Sequence, residues 1–158
     1  MANSVRIAVV ADDLTGALDA VGPFAEAGMR CVVVTAPAHL AAAFGRNAEV
    51  LAISTNSREM TPEAAAQAVR AVAAALRSVP QVFKKIDSRM KGNIAAEVAA
   101  LAQVLGLTRA VVCPAIPAMG RVVVDGRLSG FGVAAPIDVA QVMAQAQGIT
   151  LRVPDAQT

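Results

Sequence analysis

The described order of the chain is set by its first aliphatic run, Val5–Ala11, which is unbroken except for Arg6 and is cut off by two acids, Asp12-Asp13. A strand with one wet face alternates apolar and polar residues. A near-continuous run needs cover on both faces, as in the interior of a parallel sheet. From Leu14 the period changes. Leu14, Leu18, Val21 and Ala25 recur at helical spacing, Gly28 suits the C-terminal cap, and Pro23 predicts a kink or break inside that helix.

The same switch from aliphatic run to helical period repeats. Arg30–Thr35, Glu49–Ser54, Val82–Ile86 and Thr108–Cys113 read as four further strands, and Ile149–Val153 as a sixth. Between them lie a short helical piece over Pro37–Phe44 and a helix opened by Thr61-Pro62-Glu63, with Ala65, Val69, Val72 and Leu76 on its buried face. A third helix carries Ile94, Val98, Leu101 and Leu105 and ends near Gly106. Pro114 and Pro117 break the rhythm, Arg121–Val133 reads as a β-hairpin turning at Asp125-Gly126 or Ser129-Gly130, and Pro136–Gln147 as a weak helix. The expected fold is α/β: a three-layer, doubly wound, mostly parallel sheet with a β-hairpin insertion near 121–133. With 158 residues the chain suits one domain. The rhythm calls for another helix near Pro154, so the expectation is a truncated domain.

Composition narrows the function classes. The chain is 56% hydrophobic and only 3% aromatic, so its core must be aliphatic. Its net charge of +2, with arginines scattered along the chain, does not resemble a nucleic-acid stripe interleaved with aromatics. Cys31 and Cys113 match no metal or redox spacing and read as two reduced core cysteines, and His39 stands alone in an alanine-rich helix. Metal-ligand spacing is absent. No apolar run reaches membrane-spanning length, and the N-terminus is not a signal peptide; the expectation is a soluble, cytoplasmic protein with neither a nucleic-acid nor a membrane partner.

The polar residues are not spread evenly. KKIDSRMKGNI, residues 84–94, holds all three lysines, Lys84, Lys85 and Lys91, together with Asp87, Ser88, Arg89, Gly92 and Asn93. Two other polar loops follow strands one and three: Asp12-Asp13-Leu14-Thr15-Gly16 and Ser54–Arg58, the latter including Ser57. Parallel strands bring such loops to one sheet edge, where open α/β folds bind ligands. Acids, cations and hydroxyls should therefore converge on one crevice. Asp13 can serve as a helix cap with Asp12 solvated, or one carboxylate can orient a hydroxyl for attack. Arg58 can pair with Glu59 or Glu63 on the surface, or hold a carboxylate or phosphate through its fork. Lys84 and Lys85 point to opposite faces, so at least one is expected in the crevice. Lys91, Gly92 and Asn93 open a helix whose free N–H groups favour anions, or form a solvated turn. GxxxxGK[ST] and GxGxxG are both absent, so no nucleotide site is visible.

Four segments then carry a resemblance: ADDLTGALD at 11–19, STNSR at 54–58, KKIDSRMKGN at 84–93 and PAIPAMGRVVVDGRL at 114–128. In this order and spacing they resemble the N-terminal domain of the four-carbon acid sugar kinase family, which includes 3-oxo-tetronate, D-threonate and D-erythronate kinases. The resemblance covers essentially the whole chain. It implies a sugar-acid substrate, a separate C-terminal domain that binds ATP with Mg2+, and phosphorylation of a terminal hydroxyl. It implies that Asp12 and Asp13 contact the sugar hydroxyls, that Arg58, Lys85, Asp87 and Ser88 hold the acid and its neighbours, and that Gly92 and Asn93 complete the loop. Two departures stand out. Arg89 and its neighbours replace the family's Ser-Thr-Leu-Arg pattern, which alters the pocket, and the segment after Leu128 is short. With the ATP domain absent, this polypeptide alone is expected to bind a sugar acid weakly and transfer no phosphate. The hairpin at 121–133 offers a contact for a homo-oligomer. The competing expectations are a non-catalytic anion- or metabolite-binding α/β module and a receiver-like signalling domain.

Overall fold

A computed structural model describes residues 5–150. Four parallel strands, β1 (Ile7–Ala11), β2 (Cys31–Val34), β3 (Val50–Ser54) and β4 (Gln81–Lys85), form a sheet in the order β2-β3-β1-β4. The helices between them are α1 (Leu14–Glu26), α2 (Leu40–Phe44), α3 (Pro62–Ala75) and α4 (Ile94–Leu105).

The period-two alternation of the strands divides these helices between two faces. Val9, Ala11, Val50 and Ala52 pack on Ala17 and Val21 of α1. Their neighbours Ala8, Val10, Leu51 and Ile53 pack on the opposite side, against Val69 and Val72 of α3 and Leu101 of α4. Both faces of β1 and β3 are covered, which accounts for their near-continuous aliphatic runs. The chain leaves β1 toward one face and leaves β3 and β4 toward the other. That divergence opens a crevice at the carboxyl ends of the strands beside β1.

A second core supports the crevice wall. Strands β5 (Arg121–Val124), β6 (Arg127–Gly130) and β7 (Ile137–Asp138) form a small antiparallel sheet, followed by α5 (Val139–Met143). Leu128 and Met143 bury against Ile94, Ala95 and Val98 of α4. The hairpin turns at Asp125-Gly126, whose φ angles of 47° and 72° match the type I′ turn that fits strand twist.

Several expected elements differ. Thr108–Cys113 is not a strand: a 450 Å³ cavity separates 109–116 from β4, and Val111 is 99% exposed. An aliphatic run becomes a strand only with a neighbour at ladder spacing, about 4.8 Å. Here the run leads directly into Pro114 and Pro117, which cannot donate to a ladder. The weak helix over Pro136–Gln147 contracts to α5, because Ile137 pairs with Leu128 and the Asp138 side chain caps the helix by accepting from Gln141 N. Ile149 and Thr150 carry no strand pairing, and the rest of the expected sixth strand lies outside the described residues, as does the helix expected near Pro154. Helix α1 continues through Pro23 and ends three residues later, with Gly28 just beyond at φ 81°. Among the described residues no helix is long and apolar enough to cross a membrane.

Candidate functional site

The chain leaves β1 through Asp12 and Asp13. Asp13 is extended and caps α1, its Oδ1 accepting from Gly16 N at 2.7 Å. A Cβ on Gly16 would lie 2.8 Å from that oxygen and 3.4 Å from Lys85 Cγ. Glycine at 16 therefore lets the cap and the Lys85 side chain close together.

Arg58, just after β3, gathers the acids. Its Nε and Nη2 donate to the two oxygens of Asp12 at 2.7 and 2.9 Å, a bidentate fork. Its Nη1 lies 2.7 Å from Asp13 Oδ2 and 3.8 Å from Asp87 Oδ2. The hydrogen bond to Asp12 and the charges of Asp12, Asp13 and Asp87 push the guanidinium pKa up, against the opposing effect of burial. Asp12 is only 3% exposed and lies behind Arg58. Two ties fix the loops around this cluster. Asn93 Nδ2 donates to Ser57 O and Met60 O, and Asp87 Oδ1 accepts from Arg89 N at 2.8 Å. Gly92, at φ 86°, passes so near that a Cβ would sit 3.0 Å from Asp12 Oδ2.

The two lysines separate as a strand requires. Lys84 points toward α4, where its Nζ meets Glu97 Oε2 at 2.7 Å; these side chains are 8% and 1% exposed. Ser57 Oγ donates to Glu97 Oε1 at 2.6 Å and lies 2.6 Å from Thr55 Oγ1, so this buried network anchors the loop that carries Arg58. Lys85 points the other way, into the crevice, where its Nζ donates to Ile86 O.

The crevice measures 820 Å³. Asp13, Thr15, Arg58, Lys85, Asp87 and Ser88 line it, with Phe24, Phe83 and Met119 as apolar wall. Asp12, Ser57, Gly92 and Asn93 are not part of this lining; Asp12 and Ser57 are buried, and Gly92 is exposed. Arg89 and Lys91 do not line it; Arg89 packs toward Gly132 and Lys91 is exposed. The start of α4 likewise falls outside the lining, although its free N–H groups had made it a candidate anion site.

Two charged lining residues, Asp19 and Arg121, were not among the candidates. Arg121, at the start of β5, enters the crevice wall. It is 7% exposed, with Nε donating to Phe131 O and Nη1 to Ser88 Oγ at 2.8 Å. The one sequence signal was its place inside the 114–128 segment, which carried the resemblance without assigning it a role.

Among the described residues no group of three His, Cys, Asp or Glu side chains is arranged to hold a metal. The three gathered carboxylates share one counter-charge, Arg58.

The chain spans about 30% of the length of the curated relatives it matches. It is 44% identical over 119 residues to a D-threonate kinase of Cupriavidus necator, a match covering 75% of this chain and 28% of that protein. It is 38% identical over 132 residues to a D-threonate kinase of Salmonella typhimurium, covering 82% and 30%. A crystal structure of a Bordetella bronchiseptica protein described as a domain of unknown function, a domain-swapped dimer with bound citrate, superposes with a TM-score of 0.74 at 36% identity, over 95% of this chain and 38% of that one. The family model for the sugar-binding N-terminal domain matches residues 7–146. The chain belongs to the sugar-binding N-terminal domain family of the four-carbon acid sugar kinases.

Proposed function

We propose that this chain binds a four-carbon sugar acid, a tetronate or 3-oxo-tetronate, as the substrate-recognition domain of an ATP-dependent kinase that phosphorylates a terminal hydroxyl. One observation carries the reading: in a member of this family, a single crevice brings a carboxylate, Asp13, together with cationic side chains that include Lys85. A small polyhydroxy acid needs such a pairing, with a cation for its carboxylate and acceptors for its hydroxyls. The threonate kinase relatives support the substrate class.

In this reading Asp13 accepts a hydrogen bond from the hydroxyl to be phosphorylated, and Asp12 holds Arg58, which in turn holds Asp13. Thr15 and Ser88 are the hydroxyl donors nearest the sugar. ATP, bound with Mg2+ by a C-terminal nucleotide-binding domain, supplies the phosphoryl group. The residues described here orient the acceptor and stabilise charge, so no covalent nucleophile is required. Self-association belongs to the same proposal, supported by the swapped dimer of the Bordetella relative, and an ATP-dependent step of this kind suits the cytoplasm. No observation favours a receiver-like role, and the family match supports the sugar-acid reading.

A thermal-shift series with D-threonate, D-erythronate and 3-oxo-tetronate tests the proposal. A ligand at about tenfold its Kd adds about 1.4 kcal/mol of stability, or roughly 3–6 °C for a domain of this size. A folded sample that none of these acids stabilises would refute it.

A further inference from the structure

We propose that Arg121, with Lys85, is the anchor for the ligand's carboxylate, and that Arg58 is a positioning residue for Asp12 and Asp13. This inference rests on the sugar-acid reading above and reassigns the cation that meets the acid.

The ion pairs separate the two arginines. Arg58 has Nε, Nη1 and Nη2 all engaged with carboxylates. A substrate carboxylate that reached the remaining N–H groups of Arg58 would meet the negative charge of the three carboxylates it already holds. Arg121 has the opposite situation. It is 7% exposed, yet its contacts are all neutral: Phe131 O, Ser88 Oγ and, at 3.8 Å, Met119 Sδ. Among the described residues no carboxylate lies within 4.0 Å of Arg121 or of Lys85. The Arg121 Nη2 has no hydrogen-bond partner among those residues.

A buried guanidinium without a counter-charge is costly, whereas one that meets an anion at the moment of binding is not. Arg121 and Lys85 line the same crevice. A planar guanidinium suits a carboxylate. Ser88 Oγ accepts from Arg121, which leaves its own hydrogen to donate to the same anion. The carboxylate end of the ligand therefore lies toward Arg121, Lys85 and Ser88, and the hydroxyl end toward Asp13.

Binding of D-threonate and of the neutral polyol D-threitol to the full chain tests this assignment, by calorimetry for the acid and by thermal shift at high concentration for the polyol. Wild type should prefer the acid. Arg121→Gln should weaken D-threonate about ten- to hundredfold, as expected for losing hydrogen bonds to a charged group, and leave D-threitol within about threefold. A merely structural role would weaken both alike. If Arg121→Gln does not fold, Arg121→Lys serves: it keeps the charge, loses the fork, and should still narrow the acid-over-polyol preference. Arg58→Gln should weaken both ligands in proportion. The inference is overturned if an Arg121 variant keeps the wild-type preference, or if Arg58→Gln alone abolishes it; in both cases the sugar-acid reading stands. If wild type binds neither ligand, the sugar-acid reading fails and takes this inference with it.

Discussion

Arg58 holds three carboxylates that would otherwise repel one another, and one of them, on Asp12, is 3% exposed. Removing Arg58 from such a cluster costs more than the pair contributes, because the buried Asp12 is left without its partner. Arg58→Ala should therefore lower unfolding free energy by about 3 kcal/mol, and adding Asp12→Asn should recover part of that loss in chemical denaturation. The two thiols offer a simpler check. Burial, and then the charge of Glu49, push the Cys31 thiol pKa up, so its reactive thiolate is scarce near neutral pH. Cys113, which is exposed, should react first with a thiol reagent, and Cys31 should catch up only as the pH is raised. The acidic pair, Arg58 and Lys85 were legible in the sequence because each lies at or just past the end of a strand. Arg121 was not, because its meaning depends on Ser88, 33 residues away, and on the absence of a carboxylate partner.

At the level of elements, the strands most clearly marked in the sequence were those with cover on both faces, β1 and β3. Val50–Ser54 is fully buried, and its aliphatic run marked it clearly. Thr108–Cys113 carries a similar run, but composition does not report whether a partner strand stands at ladder distance, and here it does not. The hairpin was legible from Asp125-Gly126, a local signal. Its docking depends on Gly130 instead, at φ 114°, where an added Cβ would overlap Gly120 O. Gly130→Ala should therefore undock the small sheet. The expected readout is faster amide exchange in β5 and β6 and weaker acid binding through displaced Arg121, with the parallel sheet still protected.

The whole molecule works by convergence. Three loops far apart in the chain meet because parallel strands place their carboxyl ends on one rim, and the diverging helices leave that rim open beside β1. A crystal structure of the chain with a four-carbon sugar acid tests this most directly. The account predicts the acid in the 820 Å³ crevice, with its carboxylate beside Arg121 and Lys85 and a hydroxyl beside Asp13. An acid bound instead in the 690 Å³ cleft lined by Arg70 of α3 and Gln103 of α4 would contradict it.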